Sequence, residues 1–216
     1  PVREAIHINR ALRQAGLMRV RDEMGRELLD AGASKAFALA DHQLAHVYLQ
    51  HGADAAAVKT LLEGLDGVAE VLDATGKRAR GLDHDRSGEL VVLAKPDRWF
   101  SYYWWLDDAK APDFAPTVDI HRKPGYDPME LFFDPAIPLA KLKVARRIAA
   151  RKLGFRNLLD VTPIRGTHLV KGSHGLANPD PADSPVVISS NANLLPAGAV
   201  PATAFKDLML AHVFTS

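Results

Sequence analysis

Apolar and polar positions fall into blocks whose period changes along the chain. Ile8, Leu12 and Ala15 recur at helical spacing, and Gly16 stands where such a helix would end, so residues 8–17 read as a short helix. A second helix is expected from Glu23 to Leu29. Ala36 to Ala40 and Leu44 to Leu49 read as strands, with Asp41-His42-Gln43 between them. Asp54 is placed to cap a helix running to about Leu62, and Val68 to Leu72 reads as a further strand. Strand, helix, strand in this order marks a small α+β unit over 36–72. A polar, turn-rich loop, Gly81 to Gly88, then leads into Glu89 to Ala94, a continuous apolar run of the buried type.

Trp99 to Leu106 holds all three tryptophans of the chain, together with Phe100, Tyr102 and Tyr103. Such a run can stack a base or a sugar. Core packing is the favoured reading, since aromatic side chains suit strands and bury large areas. Asp107 to Asp134 is rich in proline and aspartate and is expected to be irregular. A basic helix follows over about Leu139 to Leu153, stopped by Gly154, with Arg146, Arg147, Arg151 and Lys152 on a solvated face. Leu158 to Pro163 and His168 to Val170 lead to the loop Gly172-Ser173-His174-Gly175. A short strand, Pro185 to Ser189, and a last helix, Thr203 to Val213, complete the reading, with Phe205, Leu208, Met209 and Val213 on one side of that helix.

Composition narrows the chemistry. The chain has 216 residues, 47% of them apolar and 25% charged, with a formal net charge of +1. Nothing in that balance draws the chain to nucleic acid or to a membrane surface. No apolar run approaches the roughly 20 residues that span a bilayer, and the N-terminus lacks a basic-then-apolar signal pattern. With no cysteine, disulfides and thiolate ligands are excluded. A metal would be held by nitrogen and oxygen donors, which suits zinc, manganese or magnesium. A cysteine-free chain is compatible with the cytosol, and a cytoplasmic location is the expectation.

His174 is the first candidate ligand. A histidine flanked by glycines is exposed, and backbone can approach a ligand closely there; a plain surface loop is the alternative. Asp119 and His121, two apart in an extended segment, point the same way and could converge on one cation, or Asp119 could orient the imidazole. Arg122 and Lys123 follow directly and could hold a phosphoryl oxygen. An exposed loop with salt bridges explains those four residues equally well. Asp41, His42 and His46 resemble a metal motif, but on a strand the two histidines would stand roughly 13 Å apart. The favoured reading puts Asp41 in a turn and the histidines at a strand edge. His84 between Asp83 and Asp85 reads as a turn with capping aspartates. No phosphate-binding glycine loop, nucleophile elbow or His-Glu-x-x-His helix is present, and no serine or threonine stands out as an activated nucleophile.

Several blocks together resemble the alkaline phosphatase superfamily, and within it the type I phosphodiesterase/nucleotide pyrophosphatase group that also includes phosphonoacetate hydrolase. Ile8-Asn9-Arg10-Ala11-Leu12 with Gly16-Leu17 resembles the segment after that family's Asp-His-Gly metal motif. Asp85 to Val91 resembles its loop-to-strand block. Lys171-Gly172-Ser173-His174-Gly175, with Asp183, Pro185 and Val186-Val187-Ile188, resembles its last metal-histidine loop and final strand, and Ala202 to Leu210 its closing helix.

The resemblance implies an α/β chain forming the C-terminal part of an alkaline-phosphatase-like sandwiched sheet, with a small α+β cap subdomain. Its segments would be a helical part of the core domain (1–35), the cap-like subdomain (36–95) and a C-terminal core segment with an irregular insertion and the metal-histidine loop (96–216). It implies two divalent metal ions, zinc foremost, with manganese or magnesium possible, and a phosphate-ester or nucleotide-like small-molecule substrate. Of the family's ligands only His174 carries over; the nucleophile, the first metal aspartate, the Asp-x-x-x-His pair and the Asp-His-Gly motif are expected upstream. The metal candidates are therefore His174, His121 and Asp119, the substrate-binding candidates Arg122 and Lys123, and no catalytic residue is assigned. The expected function is the C-terminal portion of a metal-dependent phosphodiesterase or pyrophosphatase, inactive by itself. Its expected partner is the missing N-terminal half or a second copy, covering exposed sheet edge and apolar surface. The alternative is a non-catalytic binding or structural module that keeps the fold. Reading the upstream coding sequence separates the two, since an intact nucleophile and Asp-His-Gly motif support the enzyme.

Overall fold

The structure is a computed structural model, described here for residues 1–176, 180, 182 and 184–214. It divides into two compact units, Pro1–Leu176 and Ala177–Ser216. The larger carries β1 (Glu4–Ile6), α1 (Ile8–Gln14), β2 (Val20–Glu23), β3 (Arg26–Leu29), β4 (Ala36–Asp41), β5 (Leu44–Leu49), α2 (Ala55–Glu63), β6 (Val68–Leu72), α3 (Ala74–Ala79), β7 (Leu90–Ala94), β8 (Arg98–Phe100) and α4 (Ala140–Lys152). The smaller carries α5 (Phe205–Phe214). The fold is mixed α/β. No helix of the described residues is long and apolar enough to cross a membrane.

A sheet of order β4-β5-β7-β6, antiparallel throughout, is the centre of the larger unit. Every residue of β7 is buried, as its unbroken apolar run requires of an inner strand. β4 and β5 alternate buried and half-buried positions. Small side chains (Ala36, Ala38, Ala40 and Ala45) line their buried face, and Ile8, Leu12, Val58 and Leu62 of α1 and α2 share the same core. Asp54 Oδ1 accepts from Ala56 N–H and Ala57 N–H, capping α2 as its sequence predicts.

β4 is an edge strand, and buried Asn9 covers it. The Asn9 amide donates to Ala38 C=O at 2.8 Å and to Tyr102 C=O at 3.1 Å, and accepts from Ala38 N–H at 2.8 Å. One side chain therefore satisfies an edge residue on both sides and ties α1 to the aromatic run. That run is core, as expected: Trp99, Phe100 and Tyr102 to Trp105 are all buried. Trp104 Nε1 donates to Glu27 C=O at 2.8 Å, fastening β3 to the same core.

Two expectations fail. Glu23 to Leu29 is not a helix but part of the β2–β3 hairpin, with Glu23 paired to Arg26. Met24 and Gly25 both take positive φ (53° and 79°), the two-residue turn whose twist fits paired strands, and it overrides the helical propensity of the flanks. Pro185 to Ser189 is not a strand; Val186 and Ile188 are exposed, and no partner strand is recorded for it among the described residues. Asp183 lies outside the described residues. The basic helix appears as α4, followed by Gly154 at φ 86°. Lys143 and Arg147 bind Asp160, both at 2.9 Å, while Arg146, Arg151 and Lys152 face solvent.

His7, just before α1, stacks on Tyr103 with ring centroids 5.6 Å apart, and its Nδ1 is buried without a partner. Burial, helped by Arg10 and opposed by Asp108, lowers its pKa to about 4. The folded chain therefore binds this proton less readily than the unfolded chain. Stability from neutral His7 is fully present above the usual histidine pKa and is lost as pH falls from there toward 4. His7→Phe is expected to abolish up to about 3 kcal/mol of that acid sensitivity, read as the difference between urea denaturation curves of the two proteins at neutral pH and near pH 4.

Candidate metal centre

The β4–β5 hairpin closes with a two-residue turn, His42-Gln43, between the paired residues Asp41 and Leu44. His42 takes φ 55°, a conformation in which histidine is among the better-tolerated side chains. Three backbone groups of the turn are bonded to other parts of the chain. Gln43 N–H donates to His174 C=O (2.9 Å), Gln43 C=O accepts from Ala94 N–H (2.9 Å) and His42 C=O accepts from Phe100 N–H (2.6 Å). The buried Gln43 amide donates to Pro96 C=O (3.1 Å) and Arg98 C=O (3.0 Å), closing the loop between β7 and β8 over the turn.

A second loop arrives beside β4. Tyr126 N–H donates to Ala40 C=O at 2.9 Å, and Gly125 pairs with Ala40. Gly125 has φ 110°, and a Cβ there would stand 2.4 Å from Ala40 O, so only glycine fits. This approach lays the Tyr126 ring on His42, with centroids 4.3 Å apart.

The outcome is a convergence of donors. The Asp41 carboxylate and the His42 and His174 imidazoles present ligand atoms all within 4.8 Å of one another. The two imidazole centroids are 3.7 Å apart, and Ser173 Oγ lies 3.2 Å from His42 Nδ1. His42 is buried, whereas Asp41 and His174 are exposed. Burial, then the neighbouring His174, lowers the His42 pKa, with Asp41 opposing. A neutral imidazole is the ligating form. His46 points elsewhere, its Nδ1 accepting from Gly88 N–H at 3.2 Å. His46 is therefore not part of the donor cluster. The expected places are exchanged, with Asp41 ending β4 and His42 in the turn, and a loop more than 130 residues away in sequence brings His174 onto that turn.

A model of the family described as type I phosphodiesterase / nucleotide pyrophosphatase matches residues 1–127. The chain belongs to this family. Two solved structures of phosphonoacetate hydrolase from Sinorhizobium meliloti 1021 are also similar. The complex with phosphonoacetate is 20% identical over 46% of this chain and 24% of that one, with a TM-score of 0.33. The complex with phosphonoformate is 19% identical over 57% and 26%, also with a TM-score of 0.33. The chain thus spans about a quarter of the length of these relatives. No curated protein matches it. The type I phosphodiesterase match contains Asp41 and His42, while His174 lies beyond it.

The other sequence candidates do not join the cluster. Asp119 and His121 belong to no convergent donor group among the described residues. The Asp119 N–H donates to Glu130 at 3.2 Å, and His121 is exposed, with no side-chain hydrogen bond among the described residues. Arg122 pairs with Asp113 at 3.5 Å on the surface. Lys123 is turned inward with a fully buried side chain, and its ammonium binds Asp127 (2.8 Å), Glu130 (2.8 Å) and Thr117 C=O (2.8 Å). As placed, its donors are spent on the loop that carries Gly125 and Tyr126 and are not offered to a substrate. The turn residues Ser173, Gly125 and Tyr126 were not candidates from sequence; only the glycine, before an aromatic residue in an irregular stretch, offered a signal.

Burial raises the Asp127 pKa against the opposing pull of Lys123, so the carboxylate depends on that cation. Lys123→Met leaves Asp127 and Glu130 without their counter-charge. It is expected to destabilise the larger unit by about 3–5 kcal/mol, measured by chemical denaturation.

Proposed function

We propose that Asp41, His42 and His174 hold a divalent metal ion in a phosphoester-hydrolysing centre whose remaining ligands and nucleophile lie outside these residues. The convergence of one carboxylate and two imidazoles on a built turn carries this reading. The donor set fits the ion. Two imidazoles and a carboxylate form a common catalytic zinc set, and they suit zinc better than magnesium. Ser173 engages His42 Nδ1, which leaves Nε2 for a cation, and Tyr126 holds the ring plane. When bound, such an ion polarises a phosphoryl oxygen and stabilises a nucleophile at neutral pH. The chain's own part is to keep His42 neutral, to fix both imidazoles through backbone bonds, and to place the Asp41 charge beside them.

On this reading Asp41-His42-Gln43 is the chain's version of the family's Asp-His-Gly motif, with glutamine in the glycine position. The motif then lies within the chain, and Ile8 to Leu17 precedes it instead of following it. Membership of the family supports hydrolysis of phosphodiesters or pyrophosphates as the activity of the whole protein. Exposed Leu142 and Leu153 of the larger unit fit surface that meets a further segment of the protein or a second copy.

Metal binding tests this directly. By equilibrium dialysis with zinc and elemental analysis, Asp41→Asn and His174→Gln are each expected to weaken zinc binding at least about tenfold, while His121→Gln leaves it unchanged. Zinc binding that is indifferent to both cluster variants refutes the centre. The chain alone is expected not to hydrolyse bis-nitrophenyl phosphate with added zinc, and turnover by it would show that the nucleophile is already present.

A further inference from the structure

We propose that the groove beside α4 is a second ligand site, for a nucleoside polyphosphate. It is a cavity of about 910 Å³ and shares no residue with the Asp41–His42–His174 cluster. That volume is in the range of small-molecule pockets. One wall is α4, with Arg147, Ile148 and Arg151; the opposite wall includes Asp119 and Arg122; Phe155 and Arg156 follow the helix. Most of these residues lie beyond the part of the chain that the family match covers.

Charge and shape argue for the ligand together. α4 carries Lys141, Lys143, Arg146, Arg147, Arg151 and Lys152 and no acidic residue. Asp160 engages Arg147, and Asp113 meets Arg122 in an exposed pair. No ion pair is recorded for Arg151 or Arg156 among the described residues, and both are exposed. The negative end of the helix accounts for one cation near its C-terminus, not for the set. Guanidinium groups match phosphate oxygens two bonds at a time, and the planar fork is pre-organised, so less entropy is lost per hydrogen bond formed. A bare anion would leave the apolar part of the groove without a role. Ile148 and Phe155 are 49% and 66% exposed, a surface on which a planar base can lie. Asp113 and Asp119 limit the net positive charge of the walls, which favours a small anion over a long polyanionic strand.

Calorimetric titration of the whole chain in EDTA tests the proposal, since chelation removes any contribution from a metal centre. A failure here leaves the metal reading untouched. The probes are ATP, adenosine and inorganic tripolyphosphate. ATP is expected to bind, with adenosine and tripolyphosphate each at least about tenfold weaker. Arg151→Gln/Arg156→Gln is expected to weaken ATP about tenfold or more with an unchanged circular dichroism spectrum. In the unaltered protein, added salt is expected to weaken ATP binding. The proposal is overturned by the absence of ATP binding, by ATP binding that the double variant or salt leaves unchanged, or by tripolyphosphate binding as tightly as ATP.

Discussion

The two-residue turn at His42-Gln43 is the constraint on which the larger unit's organisation depends. A tight turn exposes backbone groups that must find partners. Here they bind three separate segments: the loop at His174 itself, the end of β7 and the start of the aromatic run. The positions of the two imidazoles follow from main-chain bonds, so they do not rely on attraction between the rings themselves. This matters because two imidazoles in contact repel when both are charged. The Gln43 amide adds two further bonds to the loop before β8, so the turn is supported from beneath as well as from its flank.

A second arrangement of opposite electrostatic character supports the first. Lys123, Asp127 and Glu130 bring charge into the interior, where desolvation offsets much of the ion-pair attraction. Its role is better seen in geometry than in net stability. The ammonium group joins Thr117 C=O to two carboxylates and so fixes a stretch with little regular secondary structure. That stretch delivers Gly125 to Ala40 and Tyr126 to His42. A loop without strands or helices can position a ring only if something like this holds it.

What sequence could show and what it could not divide along physical lines. Local signals were reliable where a single chain segment satisfies them: α1 with Gly16 behind it, the Asp54 cap, the buried run of β7 and the core role of Trp99 to Trp105. They failed where the partner is distant or the turn decides. Glu23 to Leu29 has helical side chains but a Met24-Gly25 turn. Val186 to Ile188 has strand composition, but no partner strand is recorded for it among the described residues. His174 was legible as an exposed histidine between glycines. Asp41 and His42 were seen and set aside, because spacing along a strand separates His42 from His46, and nothing local shows that His174 lies against the turn. Lys123 looked like a surface cation because its two carboxylates follow it in a stretch with no periodicity.

The cluster's asymmetry carries the reading one step further. Its rear is closed: His42 is buried against Tyr126 and held by Ser173. Its front is open, since Asp41 and His174 are exposed. A structural zinc site surrounds its ion with four protein donors, whereas a catalytic site keeps a position free. On the proposed metal reading, three donors backed on one side and bare on the other match the second pattern. They also leave the front of the cluster open to further ligands. The heavily bonded turn supplies the rigidity that such a cluster requires: side chains open on one side keep their geometry only when the backbone behind them is fixed.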